Sequence, residues 1–530
     1  MLQLILIAIC FAALFYYFGV KPMYHWTEKG INQTTVVWLA GDNWRTVFKL
    51  ESFAEMVKRV YMQMPGARYL GMYQFTTPTL VLRDPELIKQ IGVKDFDHFV
   101  DHRSFVTEES DPLFGKNLFS LKGQRWREMR PILSPSFTSS KMKNMFTLMS
   151  DCATSLTDYF SKKNQEVVEV EMKDVFTRYT NDVIATTAFG ISIDSLKDQT
   201  NEFYLMGKQA TNFGSFWQRM KFFGFFLAPK LFTLLKIPLF DKEVAKFFTD
   251  LINNNIKMRK EKGIVRPDMI NLLLEAQKGK DKDEENHHPV DNGFATVEEA
   301  DFHQKGKSAL GKLTNMDIVA QAMIFFFAGF DTVSSVMCFM AYELAIDTDV
   351  QKRLREEVFQ TLDECKGTVT YEAVLKMKYM DMVVSETLRK WPSAIAVDRV
   401  CTKPYTIEPV RPDEKPLHVD KGDILWLPIF GIHHDPEIYP DPERFDPERF
   451  NDDNKANIHP YSYIPFGVGP RNCIGNRFAL MEIKVVFFHL LSLFEVVPIA
   501  KTEIPLRISK AQFNLQAEGG FPLGLKRLSK

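Results

Sequence analysis

The stretch PFGVGPRNCIGNRFALMEIK, residues 465–484, holds the most constrained reactive side chain of the protein, Cys473. Gly467 and Gly469 precede it and permit backbone angles that other residues resist, while Pro470 stiffens the approach. The residues after it have helix character, so the spacing places Cys473 at the head of a helix. There, backbone N–H groups and the positive end of the dipole favour thiolate over thiol. A thiolate is a nucleophile or a metal ligand. A hydrolytic nucleophile needs a base, and no paired histidine has the context for one; a zinc centre needs further ligands that no spacing supplies. A single axial thiolate on a haem iron needs only a flat apolar slot and cations for the propionates. Cys10, Cys152, Cys338, Cys365 and Cys401 are scattered without a CxxC and read as small apolar fillers in a reducing compartment.

Three other stretches place polar groups at telling intervals. AGFDT (Ala328–Thr332) lies midway in a long apolar helix. Gly329 removes a side chain where something must approach closely, and Thr332 can bond back to a carbonyl and open the ladder. In SETLRKWP, Glu386 and Arg389 share a helix face at i,i+3, and in WREMR, Trp126 and Arg130 do so at i,i+4. Taken alone, the Glu386–Arg389 pair is routine surface chemistry.

Together the four stretches resemble the cytochrome P450 haem-thiolate monooxygenases. FGVGPRNCIG (466–475) fits the pattern F-x-x-G-x-R-x-C-x-G, AGFDT fits A/G-G-x-D/E-T, and the other two fit E-x-x-R and W-x-x-x-R. The resemblance implies a mainly α fold with small β-sheets (α+β) and a long central helix over haem b. It makes Cys473 the iron ligand, with Phe466, Ala328 and Gly329 against the cofactor. Trp126, Arg130, Arg399 and Arg471 become the propionate contacts, and His102 a further one. Thr332 and Asp331 become a proton relay to bound dioxygen. FDPERF supplies Arg449 as the third member of a Glu386–Arg389–Arg449 network, in preference to Arg444 of the competing copy YPDPERF.

The same resemblance implies electrons from NADPH through a separate flavoprotein reductase, with a b-type cytochrome as another candidate partner. No Gly-rich nucleotide motif stands in this chain. Lys122, Arg125, Arg127 and Lys143 are the expected docking cations. Substrate contacts are expected from Phe325, Phe326, Ala328 and Thr332, from Ile395 to Val397, from the loop Phe105 to Phe119, from the 203–240 region and from Asn514–Leu515. GFATVEE, FFFAGFDT and RFALMEIK look most like insect members, family nine above all, many of which oxidise plant compounds and insecticides. A haem-thiolate isomerase or dehydratase of peroxides is the first rival, and the intact Asp331–Thr332 pair argues against it. A membrane-tethered haem sensor or apolar-ligand carrier is the second; a sensor would more often show another axial ligand.

These residues need a large scaffold. The chain has 530 residues, 45% hydrophobic and 25% charged, which are globular averages and suit two domains or one large composite domain. The formal net charge of −1 gives no global field for nucleic acid, and 45 Phe point to a large apolar interior. Met1–Val20 has no charged side chain and is long enough to anchor the chain in a bilayer. Lys21, Lys29 and Arg45 follow it, which leaves the bulk of the protein in the cytoplasm, and the resemblance implies that the membrane is that of the endoplasmic reticulum. Residues 21–45 are expected as a hinge and 46–530 as the catalytic domain.

Within that domain, residues 46–64 read as a helix, Arg68–Phe75 and Thr79–Leu82 as a hairpin, and Asp84-Pro85 as a helix start. FFGFFLAPKLFTLLKIPLF (222–240) is apolar but broken by Pro229, Lys230, Lys236 and Pro238; it reads as core, or as a loop dipping into the membrane. Residues 278–312 are a charged, solvated linker. The capping-box-like TNMD opens the central helix, which runs to about Asp347 and is apolar nearly all round.

Overall fold

A computed structural model describes the chain except for residues 213–215, 228, 267, 279–293, 298–312, 413 and 529–530. The architecture is mainly helical with three small sheets. Its axis is the helix Asn315–Ile346, whose 32 residues span about 48 Å at 1.5 Å each. Thr314 and Asp317 form the capping box that starts it. From Val333 to Ala345 every residue of the helix is buried, and it packs most extensively on the helix Met172–Ile184.

The hairpin forms between Tyr69–Gln74 and Thr77–Leu82, with Phe75 at a positive φ of 57° in the turn. Ile424–Leu427 extends it in parallel and Val397–Val400 closes it antiparallel, which puts Arg399 on an edge strand facing the interior. A second sheet joins Val167–Glu171, Pro522–Arg527 and Phe494–Pro498. Two large apolar clusters, one around the C-terminal half of the central helix and one around its N-terminal half, flank an internal cavity.

Three expectations are revised. Residues 21–45 are not a free hinge. Trp26 is fully buried, its Nε1 donates to Met72 O at 3.2 Å, and it lies so close to Gly71 that a Cβ there would meet the indole at 2.4 Å. Asp42 accepts from Tyr73 N at 2.9 Å and Thr34 Oγ1 at 2.7 Å, tying the segment to the first strand. Burial of Met23 and Trp26 drives this docking. The helical course of Leu2–Phe15 therefore continues with local irregularities to Glu28, while none of the residues Leu2–Phe15 is buried. That exposed apolar helix fits a membrane anchor.

The expected helix at 46–64 is broken: Trp44–Val47 is one turn, and Phe53–Met62 starts anew at a Ser52–Glu55 capping box. The 222–240 stretch divides between core and surface. Phe225 and Leu239 join a small buried cluster with Val106, whereas Leu231, Leu234 and Leu235 are exposed. Of the charged linker 278–312, most lies outside the described residues.

Candidate haem-thiolate site

The cysteine loop is held by its backbone. Gly467 and Gly469 have φ of 78° and 63°, and a Cβ on Gly469 would stand 1.9 Å from Gly92 O. Only glycine fits there. Cys473 N donates to Phe466 O at 2.9 Å, and Asn476 Nδ2 donates to Cys473 O at 2.9 Å. The helix begins at Asn476 with Gly475 as its N-cap, so Cys473 lies two residues ahead of the cap. That corrects the expectation of a thiol at the head of the helix. Burial pushes the Cys473 thiol up, against the smaller pull of the Gly475 N–H and the Arg130 charge. Its exposed surface faces the cavity and not the outer surface. A bound metal cation deprotonates such a thiol outright.

The cavity holds about 420 Å³, a normal size for a site that encloses a small molecule. Phe466, Cys473 and Phe478 line it from the cysteine loop and the helix after it, Phe325, Ala328, Gly329 and Thr332 from the central helix, and Phe137 stacks on Phe325 at 5.5 Å. A Cβ on Gly329 would approach Ile184 Cδ1 at 2.8 Å, so the neighbouring helix adds its own demand for glycine there.

His102, Trp126, Arg130, Arg399 and Arg471 line the same cavity. Arg130 donates to Asn472 O and Oδ1 at 2.9 and 2.7 Å. Arg471 donates to Val100 O and Leu121 O, each at 2.7 Å, and its guanidinium lies 4.1 Å over the Trp126 ring. Arg399 donates to Asp398 O at 2.8 Å, and its buried Nε has no hydrogen-bond partner among the described residues. His102 Nδ1 sits 3.2 Å from Asp398 Oδ1, and its ring stacks on Phe119.

Burial pulls Arg471 down to about 8, with Arg399 repelling it and Asp101, 3.6 Å away, offsetting only part. Burial likewise pulls Arg399 down to about 10. A guanidinium stays protonated regardless, so both directions mark cations held out of water, a cost that an anionic ligand would offset. An apolar slot with one thiol and an under-compensated cationic end fits haem b and its carboxylates.

In the central helix, Thr332 Oγ1 donates back to Ala328 O. Asp331 pairs with Lys173 Nζ at 2.7 Å and accepts from Asn514 Nδ2 at 2.7 Å; neither partner was visible in the sequence pattern. A pocket of about 20 Å³ between Asp331, Thr332, Ser393 and Asn514 has room for one water. Beneath the cysteine loop, Arg389 Nε and Nη2 donate to fully buried Glu386 at 2.7 and 2.9 Å, and Arg449 Nε lies 3.5 Å away. Arg444 contributes only its carbonyl, accepting from Arg389. Arg449, and not Arg444, supplies the third side chain of the network.

Several expected contacts lie elsewhere. Phe326 is fully buried among Phe189, Phe203 and Phe248 and does not reach the cavity. Ile395 is absent from the lining, while Ala394 and Val397 contribute. Of the loop Phe105 to Phe119, Leu118 and Phe119 line it; none of the described residues of 203–240 does. Asn514 binds Asp331, and Leu515 is core. Of the docking cations, Arg125, Arg127 and Lys143 pair with Glu108, Asp97 and Glu372; Lys122 is exposed. Phe137, Ile184, Thr187 and Phe478 line the cavity without any sequence motif to announce them.

A cysteine loop facing a long helix across an apolar slot with a cationic end defines the haem-thiolate class. The family model of cytochrome P450 matches residues 43–521. The chain is 48% identical over 516 residues to cytochrome P450 9e2 of Blattella germanica, covering 94% of this chain and 93% of the relative. It is 43% identical over 520 residues to the probable cytochrome P450 9f2 of Drosophila melanogaster, covering 96% of each. Cytochrome P450 6k1 of Blattella germanica shares 36% over 520 residues, covering 98% of this chain and 96% of the relative. The chain belongs to the cytochrome P450 family, whose members are monooxygenases that bind haem b through a cysteine thiolate.

Proposed function

We propose that this protein oxidises apolar small molecules, plant compounds and insecticides among them, using O2 and electrons from NADPH delivered by a separate membrane-bound flavoprotein reductase. A b-type cytochrome is a second donor of the same kind. Met1–Val20 holds the enzyme in the endoplasmic reticulum membrane with the catalytic part facing the cytoplasm. The observation that carries this reading is the meeting, in one apolar cavity, of the Cys473 thiol, the Ala328–Thr332 segment and the arginine end.

Haem b held through Cys473 supplies the redox iron at which dioxygen is activated. Arg130, Arg399 and Arg471, with Trp126 and His102, bind its carboxylates through charge-assisted hydrogen bonds. Phe466, Ala328 and Gly329 take its apolar faces. Once the arginines are neutralised, the remaining lining offers no counter-charge, so a charged substrate would be desolvated without compensation. That selects neutral, apolar substrates. Thr332 turns its hydroxyl from Ala328 O into the cavity to deliver a proton, and Asp331 resupplies it across the water-sized pocket, held in place by Lys173 and Asn514.

The test is a product screen with reconstituted reductase and a panel of apolar plant compounds and insecticides. NADPH-dependent oxygenated products are expected. Turnover of peroxides without NADPH would favour the isomerase reading, and NADPH consumption without any oxygenated product would favour the carrier. For the relay, Thr332→Ala should keep haem and substrate binding and divert electrons to hydrogen peroxide. Unchanged coupling of NADPH to product would remove Thr332 from the role.

A further inference from the structure

The linker 278–312 has one described island at its middle, Phe294–Val297, and this island is docked. Phe294 N donates at 2.9 Å to Asp381, whose other carboxylate oxygen accepts from Lys484 Nζ at 2.8 Å. Lys484 is fully buried on the helix that follows the cysteine loop, and Asp381 lies in the first turn of the Glu386 helix. The Phe294 ring packs 5.2 Å from both Phe450 and Tyr463, which lie 4.9 Å from each other, and Ala295 is buried beside it.

Both aromatic partners belong to the machinery under Cys473. Phe450 is the neighbour of Arg449, and Tyr463 donates to Ser385 O at 2.9 Å, next to Glu386. Tyr463 also opens the run Tyr463-Ile464-Pro465-Phe466 that leads into the cysteine loop. Ile464 N donates to His433 at 3.0 Å, and Phe466 O receives Cys473 N. One short segment therefore touches the approach to the thiol through Tyr463, and reaches the helix after it at one remove, through Asp381 to Lys484. A purely solvated linker would bury no alanine and place no phenyl ring between two aromatics.

We infer that Phe294–Val297 is a strut that positions the cysteine loop, which makes Phe294 a positioning residue for the thiolate. This rests on Cys473 as the iron ligand. Without the ring, Tyr463 and Phe450 lose a shared partner and the loop gains freedom to let the thiolate become a thiol.

The test follows the reduced CO complex of the full-length holoenzyme and times its conversion from the thiolate-ligated to the thiol-ligated form, at a temperature below global unfolding. Phe294→Ala should accelerate conversion about fivefold, the size of one aromatic pair lost. Phe294→Leu, which keeps apolar bulk, should stay within about twofold of wild type. The double variant Lys280→Ser/Asp283→Ser, elsewhere in the linker, should convert at the wild-type rate. A wild-type rate in Phe294→Ala, or an acceleration matched by an equal one in the Lys280/Asp283 control, overturns the strut and leaves Cys473 in place. A wild-type protein without any thiolate signature overturns the ligand assignment and the strut with it.

Discussion

Two buried clusters of arginine lie on either side of the cysteine loop, and they behave oppositely. Arg389 and Arg449 converge on Glu386, so the charge they bring is met by a carboxylate within the fold. Arg130, Arg399 and Arg471 have Asp101, Asp398 and carbonyl oxygens to share among three cations; burial pulls both Arg471 and Arg399 down, and repulsion from Arg399 and Arg130 adds to it at Arg471. Direct pairing with Glu386 holds Arg389 above its ordinary value, which marks the first cluster as structural. In the second, burial outweighs the nearby carboxylates at Arg399 and Arg471, which marks it as a site. A carboxylate paired directly with the guanidinium, more than burial alone, separates a scaffold arginine from a binding one.

The largest effect should come from breaking the first cluster. Glu386→Gln removes the carboxylate on which both guanidinium groups converge and leaves fully buried Arg389 uncompensated, a loss of about 3–5 kcal/mol. The urea midpoint of the purified variant should fall accordingly and haem incorporation should fail. A wild-type midpoint would mean that Arg389 is satisfied by the carbonyls of His433 and Pro442 alone.

Arg399→Leu probes the second cluster and should give the opposite sign in the haem-free protein. Relief of like-charge repulsion should raise apoprotein stability by about 1 kcal/mol, while haem affinity should fall about tenfold or more. Thermal melting with and without haem reads both. A fall in apoprotein stability would place Arg399 in the structural class.

A smaller effect sharpens the comparison from the acidic side. Asp182 is buried with neutral donors, Ser195 Oγ and N and Asn181 Nδ2, and burial raises it to about 6. Because its folded value lies above the unfolded value of about 3.9, its contribution is full below pH 4 and is lost as pH rises through 6. Asp182→Asn should flatten that part of the stability profile by about 2 kcal/mol or less. An unchanged slope between pH 4 and 6 would show that Asp182 is compensated by charge, as Glu386 is.

What could be read in the sequence follows chain distance. The cysteine loop was legible because glycine, proline and cysteine sit within a few residues of one another, and Glu386–Arg389 because helix geometry fixes i,i+3 neighbours. Arg449 was chosen correctly from its spacing to Cys473. Phe326 turns into the Phe189–Phe203–Phe248 cluster while its neighbours Ile324 and Phe325 line the cavity, and composition does not say which of two successive phenylalanines turns inward. Trp26 on Gly71, Lys173 on Asp331 and Phe294 on Tyr463 join residues that are 45, 158 and 169 positions apart, and no local pattern marks such pairings. The position of Cys473 ahead of its helix was missed for a different reason: Ile474 and Gly475 carry helix-like neighbours but close the loop instead.

The most direct measurement is the absorption spectrum of the reduced protein under CO, in wild type and Cys473→Ser. The account predicts the thiolate-type band in the wild type and its complete loss in the variant, whose Ser hydroxyl cannot supply a sulfur ligand. The same band in both proteins would contradict it.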